Sequence, residues 1–542
     1  MTKLLQLRSD AALPRNERKA RGAYYTPSGL ARYVVGATLI SPFPTSPRVR
    51  ILDPACGDGA LLVEVARRLC EGNATIPAIE RIKQSLFGID CDRQAVEMAR
   101  GNVARIVLGE AASAAAIGGL ANELTRNIVI GDALLAPLPA AWPQEFEVIV
   151  GNPPYVNIRQ LAREGKSLVD QYRRRFRCAV RGFDLYVLFI ERAIELLTAG
   201  GRCGFIVPNK LATLDYAAPC RRLLMEHTQL ESITDFSATR SFDGAHVYPQ
   251  VLVFNKGTPA PRHRLTVAQP SIDESTGSVS IVSLKSISQC DLNRRGVFAW
   301  DDALDVERRV PTRPFREICQ LRSGTTGFVA QKVAAELREA NNAGGPTFPF
   351  ITSGNIDRYQ VTLGNVRYLR RLYANPVLAE DSLELSHEKR QLFAGPKIII
   401  AGLSRHLEAA YYPGRLALGV QVFAAAECES PFFVLGLLNS KLLSHLFRTR
   451  YSAKRLGGGY FAVNKGQLAQ LPIVNPEGLD RAERRLTETI ASHAERLTSE
   501  GWSAGLDREI DTLVYRLYRL TAAEVAIVEQ ACAAAIPRVL AA

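Results

Sequence analysis

Through its first half the sequence alternates short β-branched apolar runs with amphipathic stretches of helical period, and that alternation admits few folds. Val49–Asp53 (VRILD) reads as a buried strand, followed by a glycine-rich turn and a helix over Ala60–Cys70. The spacing then predicts a strand at Leu86–Asp90, a helix at Arg93–Leu108, and strands at Asn127–Ile130 and Glu147–Val150. A helix over Leu185–Leu197, a strand at Arg202–Val207, a helix over Tyr216–His227 and strands at Leu230–Phe236 and Val251–Asn255 complete the series. Strands alternating with helices require crossover connections, so the expected class is α/β, a mainly parallel sheet covered by helices on both faces.

A chain of 542 residues exceeds one ordinary core. The pattern breaks at the Pro-rich, polar GTPAPRHR near Pro259–Arg264, and from about 311 to 475 it becomes irregular, with short strands such as Lys397–Ile400. The expected organisation is a first domain over 1–260, a connecting segment over 261–310, an α+β domain over 311–475 and a charged helical tail over 476–542. No internal repeat or low-complexity tract interrupts it.

The formal net charge of +13 favours a polyanionic partner, because basic side chains displace counterions from phosphates, although charge alone suits an unspecialised basic enzyme equally well. No two of the ten cysteines form a CxxC pair, which argues against a zinc ribbon, and no metal is expected. The first residues lack the apolar core of a signal peptide, and no charge-free stretch reaches membrane-spanning length. A reducing cytoplasm and no membrane association are the expectation.

The chemistry concentrates at successive strand ends. Asp53-Pro54-Ala55-Cys56-Gly57-Asp58-Gly59 joins the first strand to its helix, and Gly57 and Gly59 permit a sharp turn and close approach to a ligand. The segment is not GxGxxG, since Leu62 stands at the third glycine position, and no GxxxxGK[ST] loop occurs. Asp90 ends the second strand, where a carboxylate accepts from ribose hydroxyls, and Asp132 follows the third, placed for an adenine amino group; either alone also suits a turn or cap. Acids after successive strands point to an adenosyl ligand along the carboxyl edge. Asn152-Pro153-Pro154-Tyr155 follows the fourth strand. Two prolines stiffen the backbone and remove two donors, so an Asn side-chain oxygen and a rigid carbonyl can accept both hydrogens of an exocyclic amine while an aromatic ring stacks on the base.

With these residues in this order, the chain resembles the adenine-N6 DNA methyltransferases of bacterial restriction–modification systems, in the gamma arrangement of TaqI-like and Eco57I-like enzymes. The resemblance spans nearly the whole chain. It implies a seven-stranded Rossmann-like catalytic domain, a C-terminal target-recognition domain and helical tail, and S-adenosyl-L-methionine as methyl donor. In Arg21-Gly22-Ala23-Tyr24-Tyr25-Thr26-Pro27 it implies that Tyr25, Thr26 and Pro27 bind the cofactor. The same role falls to Asp53, Pro54, Ala55, Cys56, Gly57, Gly59, Asp90, Asp132, Asn152 and Phe189. Asn152, Pro153, Pro154 and Tyr155 are the implied catalytic residues, with Tyr155 and Tyr248 stacking on the flipped base. Phe189 lies on a helix and suits ordinary core equally well.

Two basic clusters suit double-stranded DNA: Arg173, Arg174, Arg175, Arg177 and Arg181 soon after NPPY, and Arg448, Arg450, Lys454, Arg455 and Lys465 beside Gly457-Gly458-Gly459-Tyr460. Direct transfer to an amine needs no covalent nucleophile, so Cys56 and Pro219-Cys220 read as structural. Cytosine N4 is the nearest alternative target, although the family commonly places Ser there where this chain has Asn152. RNA, a protein glutamine, or a non-catalytic DNA-binding subunit are further alternatives, which the C-terminal region and the intact motif set disfavour. A monomer is expected, and a separate cognate restriction endonuclease is left open.

Overall fold

The computed structural model describes residues 26–39, 49–71, 77–109, 111–164, 166–236, 249–273, 276–292, 297–298, 304, 306–325, 329–382, 384–451 and 460–533. The chain divides into two compact units, Met1–Trp300 and Asp301–Ala542. Among the described residues no helix is long and apolar enough to cross a membrane.

The first unit is built on one nine-stranded sheet. Its strands are β1 (Ile51–Asp53), β2 (Leu86–Asp90), β3 (Ile128–Ile130), β4 (Phe146–Gly151), β5 (Leu197–Pro208), β6 (Thr228–Asp235), β7 (Pro249–Lys256), β8 (Arg264–Ile272) and β9 (Val279–Ser288), in the order β3-β2-β1-β4-β5-β7-β6-β8-β9. The run from β3 to β5 is parallel, with β2 on one side of β1 and β4 on the other, and β7 runs antiparallel between β5 and β6. The seven expected strands are therefore present in a mainly parallel α/β sheet. Because β1 to β4 run parallel, Asp53, Asp90, Asp132 and Asn152 all emerge at one carboxyl edge, where the strand order reverses between β1 and β4.

Helices pack this edge into place. α1 (Ser28–Thr38) buries Leu30, Ala31, Val34 and Val35, and lies so close to β5 that a Cβ on Gly204 would sit 1.8 Å from Thr38 Oγ1. α2 (Ala60–Cys70) buries Leu61, Leu62, Val65, Ala66 and Leu69 at helical spacing. α3 (Arg93–Leu108) starts at Asp92, whose carboxylate accepts from the Gln94 and Ala95 amides. Leu62 of α2 leaves no room for a side chain at Gly88 in β2, since a Cβ there would meet Leu62 Cδ1 at 2.8 Å.

The expected connecting segment over 261–310 is instead largely sheet. β8 pairs parallel with β6 and antiparallel with β9, extending the first unit well past residue 260. The pattern failed to reveal this hairpin because it lies at the sheet edge: β9 carries Ile281, Val282 and Leu284 exposed, without the polar–apolar alternation that marks a half-buried strand.

The second unit holds two small four-stranded sheets. In one, strands 320–323, 422–426, 397–401 and 409–412 pair antiparallel, and their apolar faces share a core with Phe348, Phe350 and Phe393. A disulfide joins Cys319 and Cys428 beside the first pair of these strands, a pairing that had no signal in the cysteine spacing. The C-terminal helices pack within this unit. A Cβ on Gly436, in helix Pro431–Asn439, would meet Ile490 of helix Arg481–Ser499 at 2.6 Å. Arg358 donates twice to Asp507, at 2.6 and 2.8 Å, in a largely desolvated pair.

Candidate active site

A small crevice opens at the carboxyl edge, lined by Thr26, Asp53, Ala55, Cys56, Gly57, Asp58, Ala60, Leu61 and Asn152. The two turn glycines do different work. Gly59 has φ +89° and its absent Cβ would lie 3.0 Å from Ala99, so it lets α2 pack on α3. Gly57 has φ +51°, and a Cβ there would meet nothing within 4 Å, so the backbone is left open to a ligand. The Gly57 N–H donates to Asp90 Oδ2 at 2.8 Å and the Asp92 N–H to Asp90 Oδ1 at 2.9 Å, which fixes the Asp90 carboxylate across from the turn.

Asp53 is buried and accepts the Ala55 N–H at 3.0 Å. Burial raises its pKa to about 8; the Ala55 N–H opposes the rise and the Asp90 charge adds to it. The buried Cys56 thiol is pushed well up, chiefly by burial, which suits a packing residue rather than a nucleophile.

Asn152 stands at the crevice with both ends of its amide engaged. Its Nδ2 donates to Thr26 Oγ1 at 3.0 Å, and its Oδ1 accepts from Tyr155 OH at 2.9 Å. The bond to Thr26 favours the orientation that turns the amide oxygen toward Tyr155. Pro153 is buried, while Pro154 and Tyr155 are partly exposed.

Behind the tetrapeptide lies a network that the motifs did not reveal. Leu185 N–H donates to Val156 O and Ile158 N–H to Phe183 O, both at 2.9 Å, so the downstream arm of NPPY is zipped onto residues 183–185. The buried Asp184 accepts from Asn157 Nδ2 at 2.6 Å, Tyr216 OH at 2.8 Å and Lys210 Nζ at 3.3 Å. Tyr186, at the start of α4 (Tyr186–Leu196), meets Tyr155 edge to face with centroids 6.3 Å apart. Asp184 was legible only as one polar residue in an apolar run (FDLYVLF); what it holds is set by three distant segments.

The remaining expected residues separate. Pro54 is buried in the turn, and Pro27 caps α1. Asp132 Oδ1 accepts from the Leu134 and Leu135 amides at 2.8 and 3.2 Å, the geometry of a turn cap. Phe189 is buried in α4 and is not among the crevice-lining residues. Tyr25, Tyr248, Lys454 and Arg455 lie outside the described residues. Arg173 and Arg181 line a cleft of about 570 Å³ with Ile158, Ala162, Val169, Asp170 and Gly182, and Arg174 is exposed beside them. Arg175 is held instead by Glu195, at 2.9 Å through one guanidinium nitrogen. In the second unit Lys465 is exposed and Arg448 is half-buried, donating to Ala531 O at 3.3 Å. Arg450 is buried, bonded to Glu307 and to Gln470 O at 2.6 Å each, and serves the fold.

Comparison with known proteins agrees with this geometry. Residues 84–242, with NPPY inside them, match the family described as Eco57I restriction-modification methylase. The type II methyltransferase M.PaeR7I of Pseudomonas aeruginosa is 28% identical over 266 residues, covering 48% of this chain and 44% of the relative. M.XhoI of Xanthomonas vasicola is 27% identical over 252 residues, covering 45% and 44% respectively. The chain thus spans about half the length of the curated relatives it matches. The solved type IIL restriction-modification enzyme MmeI, in complex with DNA, shares the fold with a TM-score of 0.58 and 13% identity, covering 97% of this chain and 80% of that one. The methyl donor of such methylases, S-adenosyl-L-methionine, is the cofactor the site fits: the Gly57 backbone is open to a ligand, and the Asp90 carboxylate is held across from it by the Gly57 and Asp92 amides. In fold and over residues 84–242 the chain is similar to the Eco57I-type restriction–modification methylases.

Proposed function

We propose that the chain is a site-specific DNA methyltransferase that modifies N6 of an adenine flipped out of double-stranded DNA. The observation that carries this reading is the Asn152 amide, oriented by Thr26 at the rim of a crevice built for an adenosyl ligand. S-adenosyl-L-methionine, when bound, supplies an electrophilic methyl group on a cationic sulfur. Asn152 Oδ1 and the rigid Pro153 carbonyl accept the two hydrogens of the amine, which concentrates the nitrogen lone pair toward the methyl group. Tyr155, steadied by its bond to Asn152 and by Tyr186, offers a ring face to the base. The residues' contribution is position and exclusion of water. Adenine rather than cytosine rests on Asn152, where the resemblance associates Ser with cytosine N4. DNA as substrate is supported by the net charge, by Arg173 and Arg174, and by what MmeI binds. We assign the chain to a restriction–modification setting, acting as a monomer in the cytoplasm beside any cognate endonuclease.

The test is incubation with methyl-labelled S-adenosyl-L-methionine and mixed-sequence duplex DNA, followed by digestion to nucleosides. Label is expected in N6-methyladenine; label in N4-methylcytosine, or in RNA alone, overturns the assignment.

A further inference from the structure

A β-hairpin in the second unit, strands 366–368 and 371–373, pairs Val366 with Tyr373, Arg367 with Leu372 and Tyr368 with Arg371. Its inner face is anchored: Val366, Tyr368 and Tyr373 are buried in the unit's core, Tyr368 meets Phe350 edge to face, and Tyr368 OH donates to Ala330 O at 3.3 Å.

Its outer face and tip are unlike the rest of the surface. Leu369 is 52% exposed and Leu372 67%, with Leu363 at 47% on the adjoining segment. Arg367, Arg370 and Arg371 are exposed between them. No acid occurs from Arg358 to Ala379, and none of these three arginines makes a salt bridge among the described residues. Arg371 stacks its guanidinium 5.0 Å from the Tyr373 ring, which holds it extended along the hairpin.

The turn itself is built against local preference. Leu369 and Arg370 have φ of +45° and +70°, the two left-handed central positions of a type I′ turn, which ordinarily take Asn-Gly. A large apolar residue and an arginine in a strained turn, both presented to solvent, contribute nothing to folding that Asn-Gly would not do better.

Resting on the DNA-methyltransferase reading above, we infer that this hairpin grips double-stranded DNA, its arginines on phosphates and Leu369 and Leu372 against the groove. Three exposed guanidiniums that make no salt bridge among the described residues, Arg367 beside Leu372 on the outer face, Arg370 at the tip and Arg371 along the Tyr373 ring, complement a polyanion, and leucines flanked by arginines match the apolar and basic contacts made along a DNA groove. An acidic protein partner would be met by the charge alone, whereas a two-stranded ribbon anchored by its inner face and carrying exposed leucines is an element that a groove admits.

The experiment uses the full-length chain and a fluorescein-labelled 30-base-pair DNA duplex in a salt titration. The double variant Arg367→Gln/Arg371→Gln is expected to bind about tenfold more weakly and to lower the salt slope by about 2, near 0.9 for each lost phosphate contact. Leu369→Asn/Arg370→Gly is expected to keep or raise the melting temperature, because it suits the turn, yet also to weaken binding several-fold. S-adenosyl-L-methionine affinity should be unchanged in both variants. If the wild type binds and methylates DNA while both variants match its affinity and slope, the hairpin inference is overturned and the function stands. If the wild type neither binds nor methylates DNA, the function reading fails, and the hairpin inference with it.

Discussion

Asp53 offers a quantitative test of the crevice. It is buried, and burial together with Asp90 raises its pKa from 3.8 to about 8. A carboxyl whose folded pKa lies above its unfolded value favours the folded state when protonated. The stability linked to it is therefore fully present below about pH 4 and is lost as the pH rises toward 8. Between those limits the loss approaches about 1.4 kcal/mol per pH unit, and by pH 7 it amounts to on the order of 4 kcal/mol. Asp53→Asn keeps the acceptor for the Ala55 N–H but cannot ionise, so it removes this slope while preserving the turn. Urea unfolding of both proteins at pH 5, 6 and 7 isolates Asp53 together with its coupling to Asp90, because titrations elsewhere cancel in the difference. The variant's advantage should grow with pH at roughly that slope in the absence of cofactor. A cation bound beside Asp53 would favour its ionised form, so saturating S-adenosyl-L-methionine should flatten this slope: wild-type affinity should rise from pH 6 to 8 and the variant's should stay flat. A stability difference constant across pH 5–7 would refute the reasoning.

Further expectations concern neighbouring residues. Thr26→Val removes the acceptor that orients the Asn152 amide and should lower kcat about fivefold, the equivalent of about 1 kcal/mol, with Thr26→Ser restoring it. Gly59→Ala should destabilise the protein by about 2 kcal/mol, because the left-handed turn is strained and Ala99 blocks the new methyl, whereas Gly57→Ala should cost about 1 kcal/mol in stability and register more strongly in cofactor affinity; calorimetry of both separates the roles. Asp184→Ala strips Asn157, Tyr216 and Lys210 of a shared acceptor and should cost about 3 kcal/mol in thermal unfolding. Asp184→Asn should lower kcat without changing cofactor affinity, as expected of a residue that positions the NPPY arm.

What the sequence disclosed was governed by how local each signal is. Ala60–Cys70, Leu86–Asp90 and Arg93–Leu108 are found where their periodicity places them, because each buries a face whose spacing is written in its own residues. Part of the crevice was legible in the same way, since Asp53 ends its strand, Gly57 lies in the turn after it and Asn152 follows β4 directly. β9 escaped notice because an edge strand with exposed apolar residues lacks alternation. Asp184 escaped because its partners at 157, 210 and 216 are distant in sequence and meet only on packing. Basic clusters were the weakest guide: charge alone could not distinguish Arg450, buried on Glu307, from the exposed Lys465, nor draw attention to Arg367 and Arg371 on a hairpin visible only in three dimensions.

The most direct measurement is methyl transfer by Asn152→Ala, followed with labelled S-adenosyl-L-methionine on duplex DNA alongside calorimetric binding of the cofactor. If Asn152 directs the amine toward the methyl group, N6-methyladenine formation should fall to background while cofactor affinity stays within a few-fold of wild type. Wild-type transfer by the variant, or loss of transfer explained wholly by lost cofactor binding, would contradict that role.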